Sequence, residues 1–112
     1  MTIYPYLDFS KRTYIMGIIN VTSDSFSGDG ILNNQDAIHA ALEQAQRFVD
    51  AGADILDIGG ESTRPGSQPV TAEEELERVL PVVRAITGSG LDAIISIDTY
   101  KASVAEAAVK AG

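Results

Sequence analysis

Three short apolar runs recur along this chain, and each is followed by a segment with helical periodicity. The runs cover residues 14–19, 55–58 and 93–97, and they are rich in the branched apolar residues that are typical of buried strands. Apolar residues at three- and four-residue spacing follow each run, which indicates amphipathic helices. Parallel strands need a crossover connection, usually a helix, so this alternation predicts a parallel sheet and an α/β fold.

Turn and capping residues set the limits of the predicted helices. Gly52 follows the first helix as a C-terminal stop. Thr71 and Glu74 have the spacing of a capping box, which predicts the start of the second helix. Pro81 falls inside that helix, where it removes a backbone donor and should kink the helix. Thr99 leads into the third helix.

The length of the chain permits two architectures. Three strand–helix units can form a small open sheet, or they can be the first part of an eight-unit barrel, which typically needs ~250 residues. The chain has 112 residues, and this length alone does not choose between them.

Composition removes several classes of function. The chain has 16 acidic and 8 basic residues and a formal charge of −8, which disfavours binding to nucleic acid or to an anionic membrane. It has no cysteine and one histidine, so it offers no disulfide, no thiolate nucleophile and no cysteine-based zinc site. No leader-like segment and no apolar run of about 20 residues is evident. We expect a cytoplasmic protein.

Polar residues follow all three predicted strands. They occupy residues 20–30, 57–66 and 98–99. Ligands of parallel α/β folds bind outside the carboxyl ends of the strands, so we treat these segments as one candidate site. The second segment is the densest, with two carboxylates, two hydroxyls and a guanidinium between glycines.

Asn20 and Asp98 are the candidates with the most specific chemistry. Asn20 offers a neutral carbonyl oxygen that suits Mg²⁺ already bound to phosphate oxygens; alternatively, it caps neighbouring backbone. Asp98 ends an otherwise apolar strand, where a carboxylate is costly without a donor. A ring with two adjacent N–H donors, such as a 2-aminopyrimidinone, would pair with it bidentately. The alternative is that Asp98 is the N-cap of the third helix.

The second segment could hold an anion. Thr63, Arg64 and Gly66 could supply a hydroxyl, a fork of donors and backbone amides to a group such as diphosphate; alternatively, they form a solvated surface loop. We expect Asp57 to face neighbouring strands or to support Arg64, and Glu61 is equally well explained as a structural partner.

Three acidic residues, Glu73, Glu74 and Glu75, stand together at the start of the second helix. The favourable field at a helix N-terminus is sufficient to explain them. We assign them no function.

Three motifs, GIINVTSDSFS at 17–27, DIGGESTRPG at 57–66 and ISIDT at 95–99, closely resemble those of dihydropteroate synthase. The resemblance runs from about Tyr14 to the last residue, with the motifs in family order. It implies that residues 1–112 are the N-terminal segment of a single pterin-binding barrel domain. The segment would form the first three strand–helix units of a (β/α)8 TIM barrel.

The resemblance also implies an activity. The family condenses 6-hydroxymethyl-7,8-dihydropterin diphosphate with 4-aminobenzoate, giving 7,8-dihydropteroate and diphosphate in folate biosynthesis. The complete protein would be a transferase, and the 112-residue segment alone is expected to be inactive. By the same resemblance we expect Mg²⁺ as cofactor, a homodimer for the complete protein, and sulfonamides as competitors of 4-aminobenzoate. No nucleic-acid or membrane partner is expected.

Residue roles follow from the resemblance position by position. Asn20 resembles the residue that helps to hold Mg²⁺ on the diphosphate, and Asp98 the carboxylate that pairs with the pterin ring. Thr63 and Arg64 resemble substrate contacts near the diphosphate and aminobenzoate sites, with Pro65 shaping that pocket.

The first loop resembles the mobile loop that closes over the reacting centre and excludes water. Thr22, Ser25 and Phe26 would contact substrate there, and Asp24 and Asp29 would be its catalytic carboxylates. Asp29 stands one position later than the family pattern places its aspartate.

The same loop departs from the family pattern at a second position, where Ser23 replaces the usual proline. This replacement should loosen the loop.

Other interpretations are a non-catalytic fragment of that enzyme and the pterin-binding domain of a corrinoid-dependent methyltransferase. The methyltransferase domain is not expected to carry the whole tract from Gly59 to Gly66. A signalling receiver domain is excluded, because it needs an acidic pair after its first strand and five strand–helix units. An open three-unit segment exposes a strand edge and an unfilled interior, so we expect it to be marginally stable or aggregation-prone alone.

Overall fold

A computed structural model describes residues 2–4, 7–22, 34–62 and 65–112 of the chain. The described part contains five strands and three helices in an order that alternates after a short N-terminal pair of strands. In chain order they are β1 Thr2–Tyr4, β2 Leu7–Asp8, β3 Met16–Asn20, α1 Asn34–Asp50, β4 Ile55–Gly59, α2 Ala72–Ser89, β5 Ile94–Asp98 and α3 Ala102–Ala111.

The three longer strands form one parallel sheet in the order β3-β4-β5. Their register is regular, from Met16 beside Ile55 at one end to Asn20 beside Gly59 at the other. β5 continues the same register on the far side of β4, ending with Asp98 beside Gly59. The predicted parallel α/β sheet of three strand–helix units is therefore present, and all three carboxyl ends lie at one edge.

The hydrophobic core lies between one face of this sheet and the helices. Its fully buried members come from β3, β4 and all three helices, and include Ile19, Leu56, Ile58, Val79 and Val104. Side chains alternate between the two faces of a strand, so Met16 and Ile18 belong to the opposite face. They are 48% and 56% exposed. The open face of the sheet thus leaves large apolar side chains exposed in the described part of the chain, as predicted for a barrel segment with an unfilled interior.

The helix limits follow the capping residues. Thr71 is the N-cap of α2, with extended backbone and a side-chain oxygen that accepts from the Glu74 N–H at 3.1 Å. α1 ends at Asp50, two residues before Gly52, whose φ is 108°. α2 continues on both sides of Pro81. Among the described residues, none of the helices combines the length and apolar character needed to cross a bilayer.

An ion pair fixes the amino-terminal edge of the sheet. The Arg12 guanidinium donates to both carboxylate oxygens of Asp54, at 2.7 and 3.2 Å, and lies 4.0 Å from the centre of the Tyr14 ring. Asp54 also accepts from the Ile15 N–H at 3.0 Å. The hydrogen bond from Arg12 lowers the pKa of Asp54. This contact lies at the opposite edge from the candidate site, so its role is structural.

Candidate functional site

Asn20, Gly59 and Asp98 form a row across the carboxyl edge of the sheet. They are paired in register on three adjacent strands, and residues paired in this way point to the same face. Asn20 and Asp98 are both exposed. A Cβ atom at Gly59 would lie 3.5 Å from Asp98 Oδ2. Glycine therefore keeps a side chain from crowding the Asp98 carboxylate.

The structure removes one alternative for Asp98. The N-cap of α3 is Lys101, not Asp98. Thr99, between them, accepts the Lys101 N–H on its hydroxyl oxygen at 3.1 Å. Within the described part of the chain, no hydrogen bond involves the side chain of Asp98 or of Asn20. Neither side chain is engaged in capping there, which leaves both available to a ligand.

Asp57 lies on the same face of the sheet, two residues before Gly59 on β4. Its Oδ1 accepts from the hydroxyl of Ser96, its neighbour on β5, at 2.8 Å. The expectation that Asp57 faces a neighbouring strand is confirmed. This bond ties β4 to β5 beneath the row formed by Asn20, Gly59 and Asp98.

The loop from β4 to α2 is held at its base and closed upon itself. The Gly60 carbonyl accepts from Arg78 Nη1 at 2.8 Å, and Ser67 Oγ donates to the Ser62 carbonyl at 2.9 Å. Pro65 and Gly66 lie in an exposed turn, between Ser62 and Ser67 in sequence. Thr63 and Arg64 are outside the described residues, so their predicted contacts stay predictions. In the sequence, both residues follow the carboxyl end of β4 by four and five positions.

A buried ionic cluster lies behind this loop. Lys101 Nζ contacts Glu61 Oε1 and Glu75 Oε1, each at 2.6 Å, with the three side chains 15%, 17% and 1% exposed respectively. The Tyr100 hydroxyl donates to the Glu61 carboxylate at 3.1 Å. The Lys101 hydrogen bond lowers the pKa of Glu61, and the two carboxylates, Glu61 first, raise the pKa of Lys101. Of the two interpretations left open for Glu61, these contacts favour that of a structural partner.

The cluster corrects the sequence interpretation of Glu75. Glu75 lies with Glu73 and Glu74 in the first turn of α2, as expected, but unlike them it is a buried ion-pair partner, a role that we did not assign to it. The available signal was helical spacing, since Glu75 precedes buried Val79 by four residues and buried Val82 by seven. Lys101 was missed because its partners are 26 and 40 residues away in sequence.

The remaining predicted site residues belong to the first loop. Thr22 lies two residues after the end of β3 and is 7% exposed. Asp24, Ser25, Phe26 and Asp29 lie outside the described residues, and their roles stay predictions. No group of three or more His, Cys, Asp or Glu residues that could hold a metal ion occurs in the described part.

A family model described as pterin binding enzyme matches residues 16–112. The chain belongs to the pterin binding enzyme family. The match begins at the first residue of β3 and includes all three strand–helix units, together with the row formed by Asn20, Gly59 and Asp98.

Individual relatives within the pterin binding enzyme family are dihydropteroate synthases. The Bacillus subtilis enzyme is 53% identical over 106 residues, which are 95% of this chain and 36% of that protein. The crystal structure of the Clostridium difficile enzyme in the presence of pteroic acid matches with a TM-score of 0.85 and 56% identity, covering 95% of this chain and 39% of that one. The Xanthomonas albilineans enzyme with 4-aminobenzoic acid matches with a TM-score of 0.80 and 47% identity, covering 91% and 36%.

These matches confirm the predicted fold, an α/β segment made of the first three strand–helix units of a TIM barrel. The chain spans less than two fifths of the length of each of these relatives.

Proposed function

We propose that the complete gene product is a dihydropteroate synthase, a transferase of folate biosynthesis. The observation that supports this most directly is the row formed by Asn20, Gly59 and Asp98, at the carboxyl edge of a sheet that belongs to a pterin binding family. The dense loop from β4 to α2 stands beside that row. Its complete tract disfavours the alternative of a corrinoid-dependent methyltransferase domain.

Asp98 is the proposed pterin contact. Its exposed carboxylate is not used as a helix cap, and no side chain at Gly59 crowds it. A pterin presents a ring N–H and an amino group on one edge. Two parallel charge-assisted hydrogen bonds to the carboxylate would fix the orientation of the ring.

Asn20 is the proposed protein ligand of Mg²⁺. Mg²⁺ keeps several waters and usually takes only one or two protein oxygens plus substrate phosphates. A single exposed amide at the strand end fits this requirement, and the described residues contain no larger cluster of acidic or histidine ligands. The ion would supply charge neutralisation of the diphosphate.

The bond changes define what the loops must do. The bond between the methylene carbon and a diphosphate oxygen breaks, the 4-aminobenzoate nitrogen bonds to that carbon, and the nitrogen loses a proton. We assign Thr63 and Arg64 to substrate binding near the diphosphate and the aminobenzoate, with Pro65 shaping the pocket. The first loop, with Thr22, Ser25 and Phe26 and the carboxylates of Asp24 and Asp29, would keep water from the cationic methylene.

The test is to incubate the product of the complete reading frame with Mg²⁺, the pterin diphosphate and 4-aminobenzoate. We expect 7,8-dihydropteroate and diphosphate in equal amounts. Omitting 4-aminobenzoate is the control, and a sulfonamide should compete with it. A folded preparation that forms no dihydropteroate would contradict the proposal. Gel filtration of the same preparation tests the expected homodimer.

A further inference from the structure

Lys101 joins two parts of the site that are far apart in sequence. It lies three residues after Asp98, the proposed pterin contact. Its ammonium group contacts Glu61 at 2.6 Å, and Glu61 lies two residues before Thr63. The ion pair therefore connects the end of β5 with the base of the β4–α2 loop.

Glu75, in the first turn of α2, holds Lys101 in this position. Its Oε1 is 2.6 Å from Lys101 Nζ, and the side chain is 1% exposed. Glu75 Oε2 is buried and has no hydrogen-bond partner among the described residues. A carboxylate this deep needs a cation nearby, because an uncompensated buried charge is strongly unfavourable. Glu75 thus fixes the ammonium group at a point from which it also reaches Glu61.

The base of the β4–α2 loop is also held by contacts between Gly60 and α2. Gly60 lies against α2, where a Cβ atom would be 2.9 Å from Val79 Cγ1. Its carbonyl accepts from Arg78 at 2.8 Å. These contacts fix the backbone at residue 60, and the ion pair between Glu61 and Lys101 fixes the direction in which the next residues leave.

We propose that Lys101 is a positioning residue, which holds the base of the β4–α2 loop at Glu61 in place relative to Asp98 through their ion pair. This inference rests on the proposed function, because the loop held in this way carries the proposed substrate contacts. Lys101 itself is not among the proposed substrate contacts. Its pKa is raised and that of Glu61 is lowered, so both partners are charged in the neutral range where the site would work.

A role in positioning can be separated from a role in stability by a pair of variants in the complete gene product. K101M leaves Glu75 buried without its cation, so thermal stability and activity should both fall. K101M/E75Q removes the buried charge as well, so the thermal midpoint should rise again. Glu61 lacks its ion pair with Lys101 in both variants, although it keeps the hydrogen bond from Tyr100, so we expect kcat/KM in K101M/E75Q to stay lower by on the order of tenfold to a hundredfold.

E61A provides a second route that leaves the buried pair of Lys101 and Glu75 intact. We expect a smaller fall in the thermal midpoint than in K101M, faster amide exchange at residues 62–67, and a fall in kcat/KM similar to that of K101M/E75Q. K110M is the matched control, since Lys110 forms an exposed pair with Glu106 at 3.0 Å. It should change neither exchange in the loop nor kinetics.

Recovery of full activity in K101M/E75Q would overturn the proposal and leave the cluster a purely structural one. Normal kinetics and normal loop exchange in E61A would overturn it equally. Amide exchange does not depend on the reaction. If the wild type forms no dihydropteroate while E61A still speeds exchange at residues 62–67, the proposed function fails and the positioning of the loop stands.

Discussion

Gly60 offers a sharp test of how the site loop is attached to the fold. A Cβ atom at this position would lie 2.9 Å from Val79 Cγ1 and 3.1 Å from Glu75 Cγ. Carbon atoms prefer separations of about 3.5–4.0 Å, so one side must yield by roughly 0.6 Å. Val79 and Glu75 are 0% and 1% exposed and have no free space to enter. We therefore expect Gly60→Ala to move the loop rather than the helix.

The expected cost of Gly60→Ala is about 1–3 kcal/mol of unfolding free energy, as for other overpacked sites. The backbone of Gly60 is not in the left-handed region, so the cost comes from the contact alone. Gly88 is the matched control, because it lies inside α2 with nothing within 4 Å of an added Cβ atom. Gly88→Ala should instead stabilise by about 0.5–1 kcal/mol, since glycine is unfavourable within a helix.

The assay is urea unfolding and steady-state kinetics of both variants in the complete gene product. Because a displacement of 1 Å can cost ~100-fold in rate, we expect Gly60→Ala to lower kcat/KM by on the order of tenfold. Gly88→Ala should leave kcat/KM unchanged. Equal stability of the two variants, or wild-type kinetics in Gly60→Ala, would refute the close contact between loop and helix.

Two further predictions concern the scaffold. Thr71→Ala removes the acceptor of the Glu74 N–H and should cost about 1 kcal/mol in urea unfolding; no change would mean that the cap is not used in solution. The pKa of Asp54 is lowered by Arg12, so this pair stabilises the fold above the ordinary aspartate pKa and loses its contribution as the pH falls through the lowered value. Asp54→Asn should lower the thermal midpoint at neutral pH and reduce its further decline in acid, and parallel pH profiles would contradict this.

The features that local chemistry decides were predictable from sequence. Apolar runs gave the three parallel strands, although the first begins at Met16 rather than Tyr14. The spacing of Thr71 and Glu74 predicted the start of α2. Asp98 and Asn20 could be placed at one edge, because parallel strands align their carboxyl ends. These results depend on short-range patterns and on one rule of topology.

The features that were missed depend on contacts between distant residues. Glu75 has the same composition signal as its exposed neighbours, and only its helical spacing from Val79 and Val82, which places it on the buried face, distinguishes it. Lys101 stands among ordinary helix-start residues, and its two carboxylate partners come from other elements. The N-terminal pair of strands, Thr2–Tyr4 and Leu7–Asp8, is too short to give a periodic pattern. Tertiary packing decides all three.

Binding of a pterin by wild type and Asp98→Asn tests the central claim most directly. The probe is 6-hydroxymethylpterin, titrated calorimetrically into the complete gene product. The control variant is Asp92→Asn, because Asp92 is exposed and lies two residues before the start of β5, at the opposite end of the strand from Asp98. Hydrogen bonds to charged groups contribute about 1.5–3 kcal/mol, so Asp98→Asn should weaken pterin binding roughly 10- to 150-fold. Diphosphate binding and the Asp92→Asn variant should remain near wild type. Equal pterin affinity in wild type and Asp98→Asn, or equal loss of pterin and diphosphate binding, would contradict the assignment of Asp98 as the pterin contact.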